Sequence, residues 1–271
     1  MASKVRVDVA LVQRGLCPSR ERAQAEIMAG MVYIREKKVL KASETVTEED
    51  ELILRGAVNP FVSRGGFKLD KAIRVFNADV KGVIAMDIGA ATGGFTDVLL
   101  QNGASHVYAI DVGYGQLDWK IRNDPRVTVM ERTNARLLTN DDVPLNPKVT
   151  VMDVSFISIK LILPVAAQIM GPEGIFYTLI KPQFEAGKEK VGKKGVVRDP
   201  AVHEEVIRSI LEFAPSFSYK VTGLDFSPIT GPEGNIEFLA RIEHESAARD
   251  AVSADIIPGI LKNAYATFGR G

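Results

Sequence analysis

The stretch Val83–Phe95, V-I-A-M-D-I-G-A-A-T-G-G-F, decides how this chain is read. An apolar run interrupted only by Asp87 breaks into Gly89, Gly93 and Gly94 just before a helical pattern begins. That is the pattern of a buried parallel strand ending in a tight turn against a ligand. Glycines let the backbone pass close to the ligand, and the helix N-terminus beyond offers free N–H groups. The next strand-like run, His106–Val112, carries Asp111, 22 residues after Gly89. An acid at that spacing suits the two ribose hydroxyls of an adenosine cofactor.

The same loop discriminates among adenosine cofactors. A dinucleotide site reads G-x-G-x-x-G, whose glycines admit a pyrophosphate. Here the order is G-x-x-x-G-G, with Ala91 at the place of the second glycine and no arginine or lysine to meet phosphates. Asp87 would repel a pyrophosphate and tolerate a cationic sulfonium. The loop therefore favours S-adenosylmethionine, with Asp87, Gly89, Ala90, Gly93, Gly94 and Phe95 as expected cofactor residues. Asp111 would take the ribose and Asn134, in R-T-N-A-R, the adenine edge. A plain turn asparagine is the competing reading of Asn134.

From residue 83 onward, apolar runs and helical patterns alternate. Strands are expected at 83–89, 106–112, 127–132, 149–154, 174–181, 217–226 and 235–242, and helices at 94–102, 115–123, 158–170 and 200–213. Such alternation means a parallel sheet covered by helices, with ligands at the carboxyl ends of the strands. The last two strands are joined by S-P-I-T-G-P-E-G-N, too short for a helical crossover, and are expected to be antiparallel. Residues 246–271 are expected to form a terminal helix. Upstream, Leu69, Ile73 and Phe76 mark an amphipathic helix within Ser63–Phe76, with Lys68 at its start.

Residues 1–58 differ from the rest. Val5, Val9 and Val12 suggest one short helix ended by Gly15, and Ser19 caps a second whose buried face is Ala23 and Ile27. Short alternating runs follow at Val32–Ile34 and Leu52–Leu54, around the turn Arg35–Lys38. A Gly/Pro-punctuated joint at residues 55–62 separates the two modules.

The whole chain sets outer bounds. At 271 residues there is room for one substantial domain and a small one. Thirty-four basic and 34 acidic residues leave no global field, so any basic surface is local. The single cysteine, Cys17, excludes an internal disulfide and fits a reducing cytoplasm. The N-terminus lacks the apolar core of a signal peptide, and no run approaches the roughly 18 apolar residues of a membrane span. His106, His203 and His244 are scattered, so no metal site is expected.

Polar residues at the strand ends carry the expected chemistry. V-T-V-M-D-V-S ends in Asp153, I-F-Y-T-L-I-K-P ends in Lys181, and G-N-I-E-F-L brings Glu237 in at the start of an antiparallel strand. With Lys68, two lysines and two carboxylates would converge beside the cofactor. A structural ion pair is the bland alternative.

Two sets of motifs add a resemblance. R-V-D-V-A-L-V-Q-R-G-L-C-P-S-R-E-R-A-Q-A-E-I-M-A-G-M-V-Y-I resembles the S4-type RNA-binding domain. D-I-G-A-A-T-G-G-F-T-D resembles the cofactor motif of FtsJ-like ribose methyltransferases, with Thr92 where many have proline. S-R-G-G-F-K-L, D-V-S-F-I-S, K-P-Q-F-E-A-G, G-V-V-R-D-P and G-P-E-G-N-I-E-F resemble the TlyA family, whose members are often labelled hemolysins. The likeness spans residues 3 to about 243. It implies an α/β, Rossmann-like seven-stranded methyltransferase sheet with its last strand antiparallel, preceded by a small α+β S4-type domain: 1–58, 59–245 and a tail at 246–271.

The resemblance also implies S-adenosylmethionine-dependent methylation of the ribose 2′-hydroxyl of cytidine in 16S and/or 23S ribosomal RNA. The lysine–aspartate–lysine–glutamate tetrad of ribose methyltransferases falls on Lys68, Asp153, Lys181 and Glu237, with Asp153 also beside the cofactor. Lys181 is the candidate base, although a free lysine, with its pKa of about 10.4, is mostly protonated near neutrality. In the S4-type module Arg6, Arg20, Arg22, Lys37 and Lys38 are the implied phosphate contacts, against the alternative of a solvated charged face. Arg64 and the loop Pro182–Arg198, with Lys188, Lys190, Lys193, Lys194 and Arg198, are placed to hold RNA backbone over the site. The expected partner is ribosomal RNA or a ribosomal subunit, and the oligomeric state, monomer or weak dimer, stays open. Two other readings compete: a catalytically silent assembly factor of the same fold, and a membrane-active hemolysin that would need a span or an amphipathic barrel. The joint Arg55–Val58 reads R-G-A-V where some family members carry an aromatic residue.

Overall fold

Residues 61–271 are built on one sheet, whose central strands are apolar on both faces. The structure, a computed structural model, describes residues 4–28, 30–35, 37–54 and 59–269. The chain divides into two compact units, Met1–Pro60 and Phe61–Gly271. The joint Arg55–Val58 lies outside the described residues.

The first unit runs β1 (Val5–Arg6), α1 (Val7–Gln13), α2 (Arg20–Met28), β2 (Val32–Ile34), β3 (Lys37–Lys38), β4 (Thr45–Val46) and β5 (Leu52–Leu54). Strand β2 lies between β3 and β5, and β1 pairs with β4. Val5 is therefore not helical as its spacing suggested. It pairs with Val46, and the buried face of α1 is Val7, Ala10 and Leu11. Ser19 Oγ accepts from Arg22 N at 3.2 Å, which caps α2, and Ala23 and Ile27 point into the core as read. Cys17 is buried in that core.

The second unit runs α3 (Gly66–Val75), β6 (Ile84–Ile88), α4 (Gly94–Gln101), β7 (His106–Ile110), α5 (Trp119–Arg122), β8 (Val127–Met130), β9 (Val149–Met152) and α6 (Leu163–Met170). It continues with β10 (Ile175–Ile180), α7 (Pro182–Glu185), α8 (Pro200–Phe213), β11 (Tyr219–Phe226), β12 (Phe238–His244) and α9 (Ile257–Thr267). The strand order is β11-β12-β10-β9-β6-β7-β8. Only β12 runs against its neighbours. Strand β9 (V-T-V-M) is buried at every position, as a strand covered on both faces must be.

Several elements differ from the sequence reading. The helix expected over 158–170 becomes a short turn at Ile159–Leu161 followed by α6 from Leu163, and the loop Pro182–Arg198 opens with α7. The helix expected over 115–123 contracts to α5, because Gly115 takes φ +70° and Asp118 Oδ1 caps the helix by accepting from Lys120 N at 2.8 Å. The last strand begins at Phe238 rather than 235, because Asn235 is engaged elsewhere: its amide bonds Val197 N at 2.9 Å and Gly195 O at 2.8 Å. The terminal helix α9 buries Ile257, Leu261 and Ala264 in the larger core and belongs to that unit. Burying Ile257 and Leu261 contributes about 1.5–3 kcal/mol each.

Strand order reverses between β6 and β9, and a crevice opens at such a switch point beyond the carboxyl ends of the strands. Gly89 leaves β6 there with φ +86°. A Cβ on it would sit 2.8 Å from the carbonyl oxygen of Asp153, which leaves β9. Only glycine satisfies both the backbone angle and the approach.

Candidate active site

The crevice is a cleft of ≈ 340 Å³ lined by, among others, Gly89, Ile110, Asp111, Asn134, Asp153 and Phe156. Asp111 closes the glycine loop: Oδ2 accepts from Ala91 N at 2.8 Å and Oδ1 from Gly113 N at 2.7 Å. Each oxygen keeps a further lone pair for a ligand hydroxyl. Ala91 is held at φ +46°, an uncommon angle for a residue with a side chain. Asn134 lines the cleft and also caps a turn, its Oδ1 accepting from Arg136 N at 3.1 Å. It is thus a turn asparagine that stands on the cleft wall.

Five residues expected at the cofactor stand behind the wall instead. Ala90 and Phe95 are core residues, Gly93 packs on Leu117 and Ile121, and Gly94 admits the start of α3, with Gly66 N 3.0 Å from where a Cβ would be. Asp87 is fully enclosed and takes a hydrogen bond from Thr96 Oγ1 at 2.6 Å. Burial, with Asp153 and Asp111 nearby, pushes its carboxyl up to about 7 against the bond from Thr96. These residues shape the loop from inside because the helix following it must pack directly on α3.

Beside the cleft the four tetrad residues form a single chain of alternating charge. Lys181 Nζ lies 2.5 Å from Asp153 Oδ1, Lys68 Nζ lies 3.1 Å from Asp153 Oδ2, and Lys68 Nζ lies 2.7 Å from Glu237 Oε2. The side chains of Lys68 and Lys181 are each 8 % exposed, Asp153 18 % and Glu237 1 %. Burial alone would raise the Asp153 carboxyl, but the two lysine ammoniums outweigh it and hold it below the usual carboxylate range. Burial likewise acts to lower Lys68, and Asp153 and Glu237 overcome it, so its ammonium is held above the ordinary value.

The backbone explains this convergence. The antiparallel register pairs Ile180 with Phe238, so the residue after β10 and the residue before β12, Lys181 and Glu237, emerge together. Lys68 comes from the first turn of α3, a helix held from below by Lys71, which donates to Phe226 O at 2.6 Å and pairs with Asp225.

Lys181, Ser155, Gln183, Phe184, Glu233 and Glu237 line a second, adjoining cavity of ≈ 260 Å³. The sequence reading missed Ser155, whose Oγ accepts from Lys181 Nζ at 3.0 Å, and Phe156, 91 % exposed at φ +64° on the ridge shared by both cavities. It also missed Glu185, which accepts from Ser158 Oγ at 2.6 Å and Ile159 N at 2.8 Å and so fastens α7 to the loop after β9. The signal was present in D-V-S-F-I-S, from which only Asp153 was drawn.

The expected RNA contacts are distributed unevenly. Arg6 grips Asp8 through two bonds of 2.9 Å, Arg20 reaches the same carboxylate at 3.2 Å, and Arg22 pairs with Glu26. Lys37 and Lys38 are exposed on β3. Arg64 donates to the carbonyl of Thr230. Lys190, Lys193, Lys194 and Arg198 gather around one open surface hollow, Lys190 also pairing with Glu205, while Lys188 is exposed nearby.

Comparison with known proteins agrees with this architecture. The model of the FtsJ-like methyltransferases matches residues 61–243, and that of the S4 domain residues 5–52. YqxC of Bacillus subtilis is 51% identical over 242 residues, covering 89% of this chain and 86% of that protein. The 16S/23S rRNA (cytidine-2′-O)-methyltransferase TlyA of Mycobacterium tuberculosis is 43% identical over 240 residues, covering 88% and 90%. The solved structure of a Streptococcus thermophilus protein described as a hemolysin superposes with a TM-score of 0.79 at 44% identity, covering 100% of this chain and 98% of that one. With the S4 match ahead of the FtsJ-like one and likeness to TlyA over most of both chains, this chain belongs to the TlyA family of FtsJ-like methyltransferases.

Proposed function

We propose that this chain methylates the ribose 2′-hydroxyl of a cytidine in ribosomal RNA, with S-adenosylmethionine as donor and Lys181 as base. The carrying observation is the buried Lys181–Asp153–Lys68–Glu237 chain, whose Asp153 lines the cleft and whose Lys181 and Glu237 line the adjoining cavity. The substrate assignment rests on likeness to TlyA, whose name states that reaction. The cleft fits the donor: a glycine that admits no Cβ, a carboxylate with free lone pairs, and apolar walls from Ile110, Ala135 and Ile162.

When bound there, S-adenosylmethionine supplies a sulfonium methyl that the ribose oxygen takes, the electrons of the broken C–S bond remaining on sulfur. A hydroxyl is a poor nucleophile and must shed its proton as it attacks. Lys181 Nζ receives that proton in its neutral amine form, the ammonium first giving one proton to solvent. Asp153 orients Lys181, and Lys68 with Glu237 holds the ribose in line. Such alignment contributes up to about 7–11 kcal/mol of barrier reduction. Arg64, the loop basic residues Lys188, Lys190, Lys193, Lys194 and Arg198, and Lys37 and Lys38 of the first unit serve as phosphate contacts. Arg6, Arg20 and Arg22 serve there with their carboxylate partners attached. Among the described residues no helix is long and apolar enough to cross a membrane.

The test is transfer of labelled methyl from S-adenosylmethionine to ribosomal subunits and naked rRNA from a strain lacking the protein, with the product nucleoside identified by mass spectrometry. The expected product is 2′-O-methylcytidine, absent with Lys181→Ala, which should still fold and bind cofactor. Methyl on a base atom would remove the tetrad mechanism. No transfer with cofactor still bound would favour a silent assembly factor.

A further inference from the structure

Ser155 has no role in the mechanism so far, yet it touches the proposed base. Among the described residues, the hydrogen bonds and ion pairs of Lys181 Nζ go to two groups, Asp153 Oδ1 at 2.5 Å and Ser155 Oγ at 3.0 Å. A lysine amine has three directions for hydrogens or, once neutral, two and a lone pair. With Asp153 alone, the amine pivots about one oxygen at the end of a flexible four-carbon stem. A second fixed acceptor removes that freedom and leaves one direction unassigned. Lys181 and Ser155 both line the ≈ 260 Å³ cavity that adjoins the cofactor cleft, and Ser155 lines that cleft as well.

Ser155 is exposed, while the lysine it meets is buried, so the serine is held by its backbone and not by packing of its side chain. That backbone is braced on both sides. Asp153 N donates to Ile88 O at 3.1 Å, and Glu185 ties Ser158 and Ile159 to the turn that follows Lys181. Phe156, next in the chain, is kept at φ +64° and packs on Phe184 with ring centroids 5.2 Å apart. A non-glycine residue is uncommon in that region. The loop after β9 and the turn after β10 thus form one unit that presents Ser155 Oγ to the amine.

We propose that Ser155 is a positioning residue for methyl transfer: its hydroxyl oxygen accepts one N–H of Lys181, so that the remaining direction of the amine faces the substrate hydroxyl. The proposal rests on the reading of Lys181 as base. It assigns Ser155 no bond to substrate or cofactor.

The experiment compares Ser155→Ala, Ser155→Thr and Ser155→Val with Lys181→Ala, using labelled S-adenosylmethionine and saturating rRNA substrate, with cofactor affinity by calorimetry. Threonine and valine share a shape and differ in the hydroxyl. Loss of one hydrogen bond to a charged group lowers kcat about tenfold in the alanine and valine variants, while threonine stays within about twofold of wild type. KM for both substrates and cofactor affinity are unchanged. Valine as fast as threonine overturns the proposal. So does a loss confined to KM or affinity for the cofactor, which would make Ser155 a cofactor contact. If Lys181→Ala turns over like wild type, the base assignment and this proposal fall together. If Lys181→Ala is silent while valine equals threonine, this proposal alone falls.

Discussion

Two aspartates organise the two units, and they do it differently. Asp8 is fully enclosed, yet the arginines that hold it, Arg6 and Arg20, are 45% and 54% exposed. Asp153 is held by two lysines that are themselves 8% exposed. Both carboxylates sit below the usual range, Asp8 chiefly through its hydrogen bonds from Arg6, Asp153 through two ammoniums that overcome its burial. In the first unit the positive ends remain in water, where they can meet phosphate while keeping their partner. In the Asp153 cluster both partners are largely buried, so removing one charge leaves the others facing each other in a poor dielectric.

The largest effect should therefore come from Asp153→Asn. It leaves Lys68 and Lys181 facing a neutral amide, and should abolish methyl transfer and lower stability by about 3–5 kcal/mol, read by methylation assay and chemical denaturation. Gly89→Ala comes next. Its φ of +86° and a Cβ 2.8 Å from the Asp153 carbonyl should cost about 2 kcal/mol and weaken cofactor binding in calorimetry.

Asp87→Asn should stabilise the protein, because the wild-type carboxyl is pushed up to about 7 when folded. Between the ordinary carboxylate range and about pH 7 the unfolded chain releases that proton and the folded chain keeps it, so this group withdraws stability as pH rises. The variant should gain on wild type by about 1 kcal/mol per pH unit over that window, seen in denaturation series. Asp8→Asn is the smallest: about 1 kcal/mol or less, shrinking further in molar salt, which leaves the Asp153 effect in place. Equal losses for Asp8→Asn and Asp153→Asn would erase the contrast between the units.

The sheet was legible because strands covered on both faces must be apolar throughout, as V-T-V-M before Asp153 is, and because tight turns need glycine. Asp153 and Lys181 could be placed at strand ends from the runs that precede them. Their bonding could not, since Lys68 meets Glu237 across 169 positions of chain, a distance closed by the β10–β12 register together with the seating of α3 through Lys71. Asp87 was misplaced because an acid beside a glycine loop looks the same whether it faces ligand or core. Val5 was misplaced because two residues of strand leave no period to detect. Ser155 and Glu185 escaped because a serine and a glutamate in a loop have no pattern until the fold gives them neighbours.

The antiparallel insertion of β12 between β10 and β11 carries a consequence for how the protein is made. Glu237 and the strand it introduces are among the last parts of the domain to leave the ribosome, whereas Lys68 emerges early. A nascent chain that has released β6 through β10 already holds the cofactor-side loops but lacks the acid that braces Lys68. The pairing of β12 with β10 joins Ile180 to Phe238, a contact that the chain can make only after β12 has been released. Any C-terminally shortened product ending before β12 lacks Glu237 and leaves Lys68 with Asp153 as its remaining carboxylate partner among the described residues.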